Sequence, residues 1–189
     1  MVTETKLYTT EDLLAMPDDG VERWIIDGEL FEGDHELTRR NRRHSHLMAR
    51  ISTLIDNWID SQPEPHGEVG CGEEGLQLSD DPATAVGVDV AYISPEVAAA
   101  NPDDARLIVG APVLAVEILS PSDTQEGISR KITSYLEHGV QSVWEVDPVF
   151  ETVTVYSSNA DPVMYNKSQT IPAIAGIPGF EPAVGRIFS

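Results

Sequence analysis

The segment Val113–Leu119, V-L-A-V-E-I-L, is apolar at every position but one. A run this short and this apolar reads as a strand buried on both faces, and such a strand needs other layers above and below it. The stretch Val86–Ile93, V-G-V-D-V-A-Y-I, has the same form and again a single exception. The two exceptions, Glu117 and Asp89, are both carboxylates. A covered sheet is therefore expected, with one acid interrupting each of two apolar strands.

The remaining elements follow from local signals. Thr9 or Thr10 caps a short helix carrying Leu13 and Leu14, ended by Pro17. Asp27-Gly28 is a preferred two-residue turn, so Glu22–Ile26 and Glu29–Gly33 form an N-terminal β-hairpin. Asn41 to Asp60 is a helix, because Leu47, Ile51, Leu54, Ile55 and Trp58 recur at three and four residues. Short strands are expected at Glu68–Gly70 and Leu76–Leu78, and a loop over Ser94–Ala105. A second long helix starts at Asp123 or Thr124 and ends near His138, with Ile128, Ile132, Tyr135 and Leu136 on its inner face and Gly139 as its stop. Strands at Ser142–Val146 and Thr152–Tyr156 flank an Asp147-Pro148 turn. The order is α, ββ, α, several β, α, ββ, which suggests an α/β sandwich with a mixed sheet rather than a doubly wound fold. No repeat or long linker divides residues 1–189, so one domain is expected.

Charge is the unusual feature of the composition. There are 12 Lys and Arg against 32 Asp and Glu, a formal net of −20. That balance argues against a general nucleic-acid-coating protein. The basic residues are nevertheless concentrated: Arg39, Arg40, Arg42, Arg43 and Arg50 fall in a stretch free of Asp and Glu. This stretch reads either as a solvated segment or as a phosphate-binding edge. The single Cys71 excludes an intramolecular disulfide framework and a multi-cysteine zinc site. Neither a signal peptide nor a membrane-length apolar run is visible, so a cytosolic protein without membrane contact is expected.

Burying an ionised carboxylate is expensive unless it is paired or bound to a cation. Asp89 and Glu117 on neighbouring strands would converge on a hard cation, Mg²⁺ or Mn²⁺, which prefers oxygen donors. The plainer alternative is that each acid points to water. Lys131, with Arg130 beside it, lies one helix after Glu117, either as a surface residue or as a group that holds a water near the acids. His44 shares a helical face with Leu47 and Ile51 and reads equally as a polar residue at the rim of the core. His46 points elsewhere, and histidines at i, i+2 on a helix cannot chelate one ion. No P-loop, nucleophile elbow or dinucleotide fingerprint is present.

Several strings, taken together, resemble a known family. V-E-R-W-I-I-D-G-E-L-F-E, G-V-D-V-A-Y-I, L-A-V-E-I-L-S-P-S, K-I-T-S-Y-L-E-H-G-V-Q-S-V-W-E-V-D-P and P-G-F-E-P-A-V-G-R-I-F follow one another from about Leu7 to Phe188. In this order they resemble the Uma-two family, restriction-endonuclease-like proteins of the PD-(D/E)XK nuclease superfamily. The resemblance implies a restriction-endonuclease-like fold with an α-β-β-β-α-β core, and Mg²⁺- or Mn²⁺-dependent hydrolysis of nucleic-acid phosphodiester bonds. Asp89 and Glu117 match the metal-binding catalytic acids, and Glu22 matches an acid that completes the metal shell. His44 matches a histidine at the start of the long helix. Two positions depart from the superfamily pattern: Val88 stands where a proline precedes the aspartate, and Leu119 stands where the motif lysine belongs. The resemblance implies that the lysine comes from the following helix, as Lys131, with Arg130 the alternative. Arg39, Arg40, Arg42, Arg43 and His44 then become candidates for holding the nucleic-acid backbone. DNA is the expected substrate and a homodimer the expected assembly. Two rival readings remain at this point, an inactive scaffold of the same fold acting through protein contacts and a carboxylate-pair hydrolase of sugars.

Overall fold

The computed structural model describes residues 6–17, 19–33, 41–121 and 123–189. Helix α1 (Thr10–Leu14) begins at Thr9, whose side chain accepts from the Asp12 N–H while Asp12 returns the bond to the Thr9 N–H. Strands β1 (Arg23–Ile26) and β2 (Glu29–Glu32) form the expected hairpin. Asp27 and Gly28 both take positive φ, 52° and 77°, as the tight turn requires. The turn docks on the sheet through Gly28 N–H to the Ala83 carbonyl, 2.8 Å. Helix α2 (Arg42–Ile59) is capped by Asn41, and its apolar face, with Leu47, Ile51, Ile55 and Ile59, is buried.

The next region differs from the sequence expectation. The two short strands are one long strand, β3 (Glu68–Asp80), interrupted by a bulge between Cys71 and Glu74. Gly72 and Glu73, both at positive φ, absorb the extra residue, so the strand continues through what reads locally as a break. Strand β4 (Ala83–Ile93) pairs with β3 along its length. The expected loop contains helix α3 (Pro95–Ala100), for which Ser94 is the N-cap and Pro95 the first residue. Strands β5 (Ile108–Val109) and β6 (Leu114–Ile118) follow, then helix α4 (Gln125–Glu137), capped by Thr124. Strands β7 (Ser142–Asp147), β8 (Thr152–Ser157) and β9 (Ala160–Asn166) and helix α5 (Val184–Ile187) complete the order. Strand β9 escaped the sequence reading because it is an edge strand with six of its seven residues exposed, and so carries no alternation. Among the described residues, no helix is long and apolar enough to cross a membrane.

The strands form one mixed sheet in the order β2-β1-β4-β6-β7-β8-β9, with β3 on β4 and β5 on β3. Most neighbours are antiparallel; β6 and β7, joined through α4, are parallel, as are β3 and β5. Helices α2 and α5 cover one face over Val90, Tyr92, Leu114, Val116 and Ile118. Helix α4 covers the other through Ile128, Ile132 and Tyr135, packed with Ala91, Ala115 and Val143. One edge of β4 changes partner along its length. It meets β1 at Ala85 and β6 from Val90 to Tyr92. Between these two contacts the sheet opens, and Asp89 lies in the opening.

Candidate active site

The antiparallel register of β4 and β6 pairs Val90 with Val116 as its last pair. Asp89 and Glu117 are the next residues beyond it, near enough for the Asp89 charge to act on the Glu117 carboxyl. There the strands separate, and the Asp89 side chain takes over the backbone bond: Oδ2 accepts from the Ile118 N–H at 2.7 Å. Nε2 of His44 lies 3.2 Å from the same oxygen, its proton-bearing tautomer donating. His44 is only 1% exposed, so it belongs to the interior and not to the rim of the core. Its backbone N–H caps on Asn41, which sets the first turn of α2 against β4.

Glu117 lies on the side of β6 that also presents Ala115 to α4, as the two-residue period of a strand requires. Two residues of α4, one turn apart, divide its carboxylate. Lys131 Nζ donates to Oε2 at 2.7 Å, and the Tyr135 hydroxyl donates to Oε1 at 2.6 Å. Glu117 is 5% and Tyr135 0% exposed. Burial pushes the Glu117 carboxyl above its ordinary range; the Lys131 ammonium opposes this, and the Asp89 charge adds to it. Burial, followed by the Glu117 charge, pushes the Tyr135 phenol well up, so it remains a hydrogen-bond donor.

Asp89, Glu117, Lys131, His44 and Glu22 all line one cleft of about 1180 Å³. Glu22 is exposed on its wall, at the entry to the β1–β2 hairpin. Among the described residues, no three His, Cys, Asp or Glu gather closely enough to hold a metal ion. Of the three expected acids, Asp89 and Glu117 are buried, and Glu22 faces the same cleft from its exposed wall. Of the two basic candidates on α4, Lys131 reaches the acid. Arg130 turns away to Glu126 and Glu29, and its guanidinium lies 4.6 Å from the centre of the Phe31 ring.

The arginine-rich stretch does not converge on the cleft within the described residues. Arg43 pairs with Glu151 at 2.8 Å, and Arg50 donates to the Arg186 carbonyl. Arg42 is exposed at the first turn of α2. Arg39 and Arg40 lie outside the described residues. Sequence reasoning missed Tyr135 as a site residue, because an aromatic at helical spacing reads as core. The signal available was its position four residues after Lys131, which puts both on one helix face.

The match to known proteins covers nearly the whole chain. A family model described as "Uma2: Putative restriction endonuclease" matches residues 10–185. A crystal structure described as "a putative nuclease belonging to DUF820 from Anabaena variabilis ATCC 29413" aligns with a TM-score of 0.79 at 19% identity, over 95% of this chain and 97% of that one. No curated protein matches the chain. The structural likeness shows a restriction-endonuclease-like fold, a central mixed sheet flanked by helices. The family match extends through every element that lines the cleft, from α1 to α4, and on that extent the chain belongs to the Uma2 family.

Proposed function

We propose that this chain is a divalent-metal-dependent nuclease that hydrolyses nucleic-acid phosphodiester bonds, DNA first among its substrates. One observation carries the reading: two buried carboxylates on neighbouring strands at a split in the sheet, with a lysine ammonium on one of them. The donor set fits Mg²⁺ or Mn²⁺. Such an ion is usually held by one or two carboxylates, with waters and substrate phosphate completing its shell, so a full cage of protein ligands is not needed. Asp89 and Glu117 would hold it, and Glu22 would assist from the cleft wall through water. The chemistry such a cation supplies is polarisation of the phosphate and activation of water.

The protein's own groups do the rest. The Ile118 N–H and His44 fix Asp89 in one orientation, and α4 fixes Glu117. Lys131 holds a positive charge at the edge of the acid pair, where it orients the attacking water or stabilises negative charge on the phosphoryl oxygens. It thereby takes the part of the motif lysine that Leu119 does not supply. The test is Mn²⁺ titration calorimetry at moderate salt on wild type and Glu117→Ala, followed by Mg²⁺-dependent cleavage of DNA and RNA by wild type and Asp89→Asn. A discrete site lost in Glu117→Ala and cleavage lost in Asp89→Asn are expected. Equal binding by both proteins, or undiminished cleavage by Asp89→Asn, overturns the assignment.

A further inference from the structure

The turn between β7 and β8 carries the two most exposed large apolar side chains of the described residues, Val149 at 81% and Phe150 at 78%. The backbone of this turn is fixed. Asp147 Oδ1 accepts from the Val149 N–H at 2.7 Å and from the Phe150 N–H at 3.0 Å. Isolated apolar residues on a surface need no partner. What distinguishes this tip is the charge around it. Glu151, the next residue, is shared by two cations: Arg43 Nη2 donates to Oε1 and Lys167 Nζ to Oε2, each at 2.8 Å. Both cations are about half exposed. Beyond them lie Arg42, beside Arg43 in the first turn of α2, and Arg186 and Arg50, joined through the Arg186 carbonyl. Among the described residues, none of these three arginines is bonded to a carboxylate. A chain with a net charge of −20 thus keeps a basic flank beside its most exposed aromatic ring. The flank adjoins the cleft. The residue after Arg43 is His44, which holds Asp89, and the Leu119 N–H bonds to the Val146 carbonyl, so β6 ends beside the start of the turn.

We infer that the β7–β8 tip is a stacking platform for an unpaired base of a nucleic-acid strand, with the Phe150 ring against the base and Arg42, Arg43 and Lys167 at the adjoining phosphates. An exposed aromatic ring flanked by cations is the combination that binds single strands, and it tolerates any sequence because every base has a face to stack. A second copy of this chain fits less well, because it would bring the same cations to the same tip. Arg43 and Lys167 would exchange Glu151 for phosphate, so few counterions are released and stacking supplies more of the grip than charge does. The inference rests on the nucleic-acid reading of this chain and adds where a single-stranded part of the substrate is held.

The experiment is fluorescence anisotropy at low salt in EDTA, where no metal-supported cleavage competes. The probes are a short labelled oligothymidylate and its abasic analogue. The proteins are wild type, Phe150→Ala and Phe150→Tyr, with circular dichroism to confirm folding. Wild type is expected to bind the oligothymidylate about tenfold more tightly than the abasic strand. Phe150→Ala is expected to lose that difference, and Phe150→Tyr, which keeps a ring, to retain it. Equal binding of the two strands by wild type, or an undiminished difference in Phe150→Ala, overturns the inference. So does a wild-type dimer in sedimentation velocity that Phe150→Ala abolishes, since the tip would then be a contact between copies. Replacing both Arg42 and Lys167 by Gln is expected to weaken the two strands alike, because both carry the phosphates; no effect on either strand overturns the part given to the flank. The cleavage test on Asp89→Asn is separate: cleavage lost there with no base-dependent role for Phe150 leaves the nuclease reading intact and removes this inference alone.

Discussion

Lys131 carries the charge balance around Glu117. Both side chains are largely enclosed, so removing the ammonium leaves a carboxylate inside the protein without its counter-ion. Breaking a buried pair from one side costs about 3–5 kcal/mol, far more than an exposed pair is worth. Lys131→Met keeps the apolar stem and removes the charge. It is expected to lose about 3 kcal/mol in urea unfolding at neutral pH. Adding Glu117→Gln is expected to restore most of that loss, because neither charge then remains. A single variant within about 0.5 kcal/mol of wild type would mean that the ion pair does not hold in solution. Asp89 and Glu117 were legible in the sequence because a charged residue inside a strand of Val, Ala and Ile is conspicuous. The reach of Lys131 was not legible from spacing. Its distance from Glu117 depends on how α4 is rotated over β6, which Ile128, Ile132 and Tyr135 determine by packing.

The β1–β2 hairpin forms one wall of the cleft, and Arg23 ties it to the segment before it. The guanidinium donates to both Asp19 oxygens, at 2.8 and 2.9 Å, and to Glu32 across the hairpin at 2.8 Å. The bond from Arg23, and then that from the Val21 N–H, lower the Asp19 carboxyl from 3.8 to about 2. A carboxyl depressed in the folded state stabilises it fully above the unfolded value and ceases to do so as pH falls through the folded one. The difference in unfolding midpoint between wild type and Asp19→Asn should thus be full at about pH 6 and shrink steadily below about pH 4. A difference that stays constant over that range would mean the ion pair is absent in solution. This hairpin was readable because Asp27-Gly28 specifies its turn locally, and α2 because one helical face is apolar throughout. Strand β9 and the continuity of β3 were not. An exposed edge strand has no buried face to write into the sequence, and a bulge at Gly72-Glu73 looks like a terminus until the partner strand is known.

The molecule as a whole is strongly acidic, and that decides how it must meet a polyanion. A protein that neutralises many phosphates releases many counterions and loses affinity steeply with salt; 6–10 contacts give a slope of about −5 to −9 in log K against log salt. Arg106 on the cleft wall donates to the Leu14 carbonyl, and the other three cations described along this cleft are already engaged with carboxylates: Arg23 with Asp19 and Glu32, Arg130 with Glu126, Lys131 with Glu117. Each would have to exchange a carboxylate for a phosphate, which releases little. At long range the net charge of −20 repels the substrate, and added salt screens that repulsion. The two effects oppose each other. For Mg²⁺-supported cleavage of an oligonucleotide, log kcat/KM against log NaCl at fixed Mg²⁺ is expected to fall with a slope no steeper than about −2. At the lowest salt it should be flat or rise. A slope of about −4 or steeper would mean that a separate basic surface grips the backbone, and the Arg39–Arg43 stretch would be the first to substitute. In the shallow case, and on the proposed metal reading, a cation held by Asp89 and Glu117 would be the main positive charge that a phosphate meets. Cation binding and substrate binding should then rise together: the KM for the oligonucleotide should fall as Mn²⁺ is raised through its own binding range, and a KM independent of Mn²⁺ would refute that coupling.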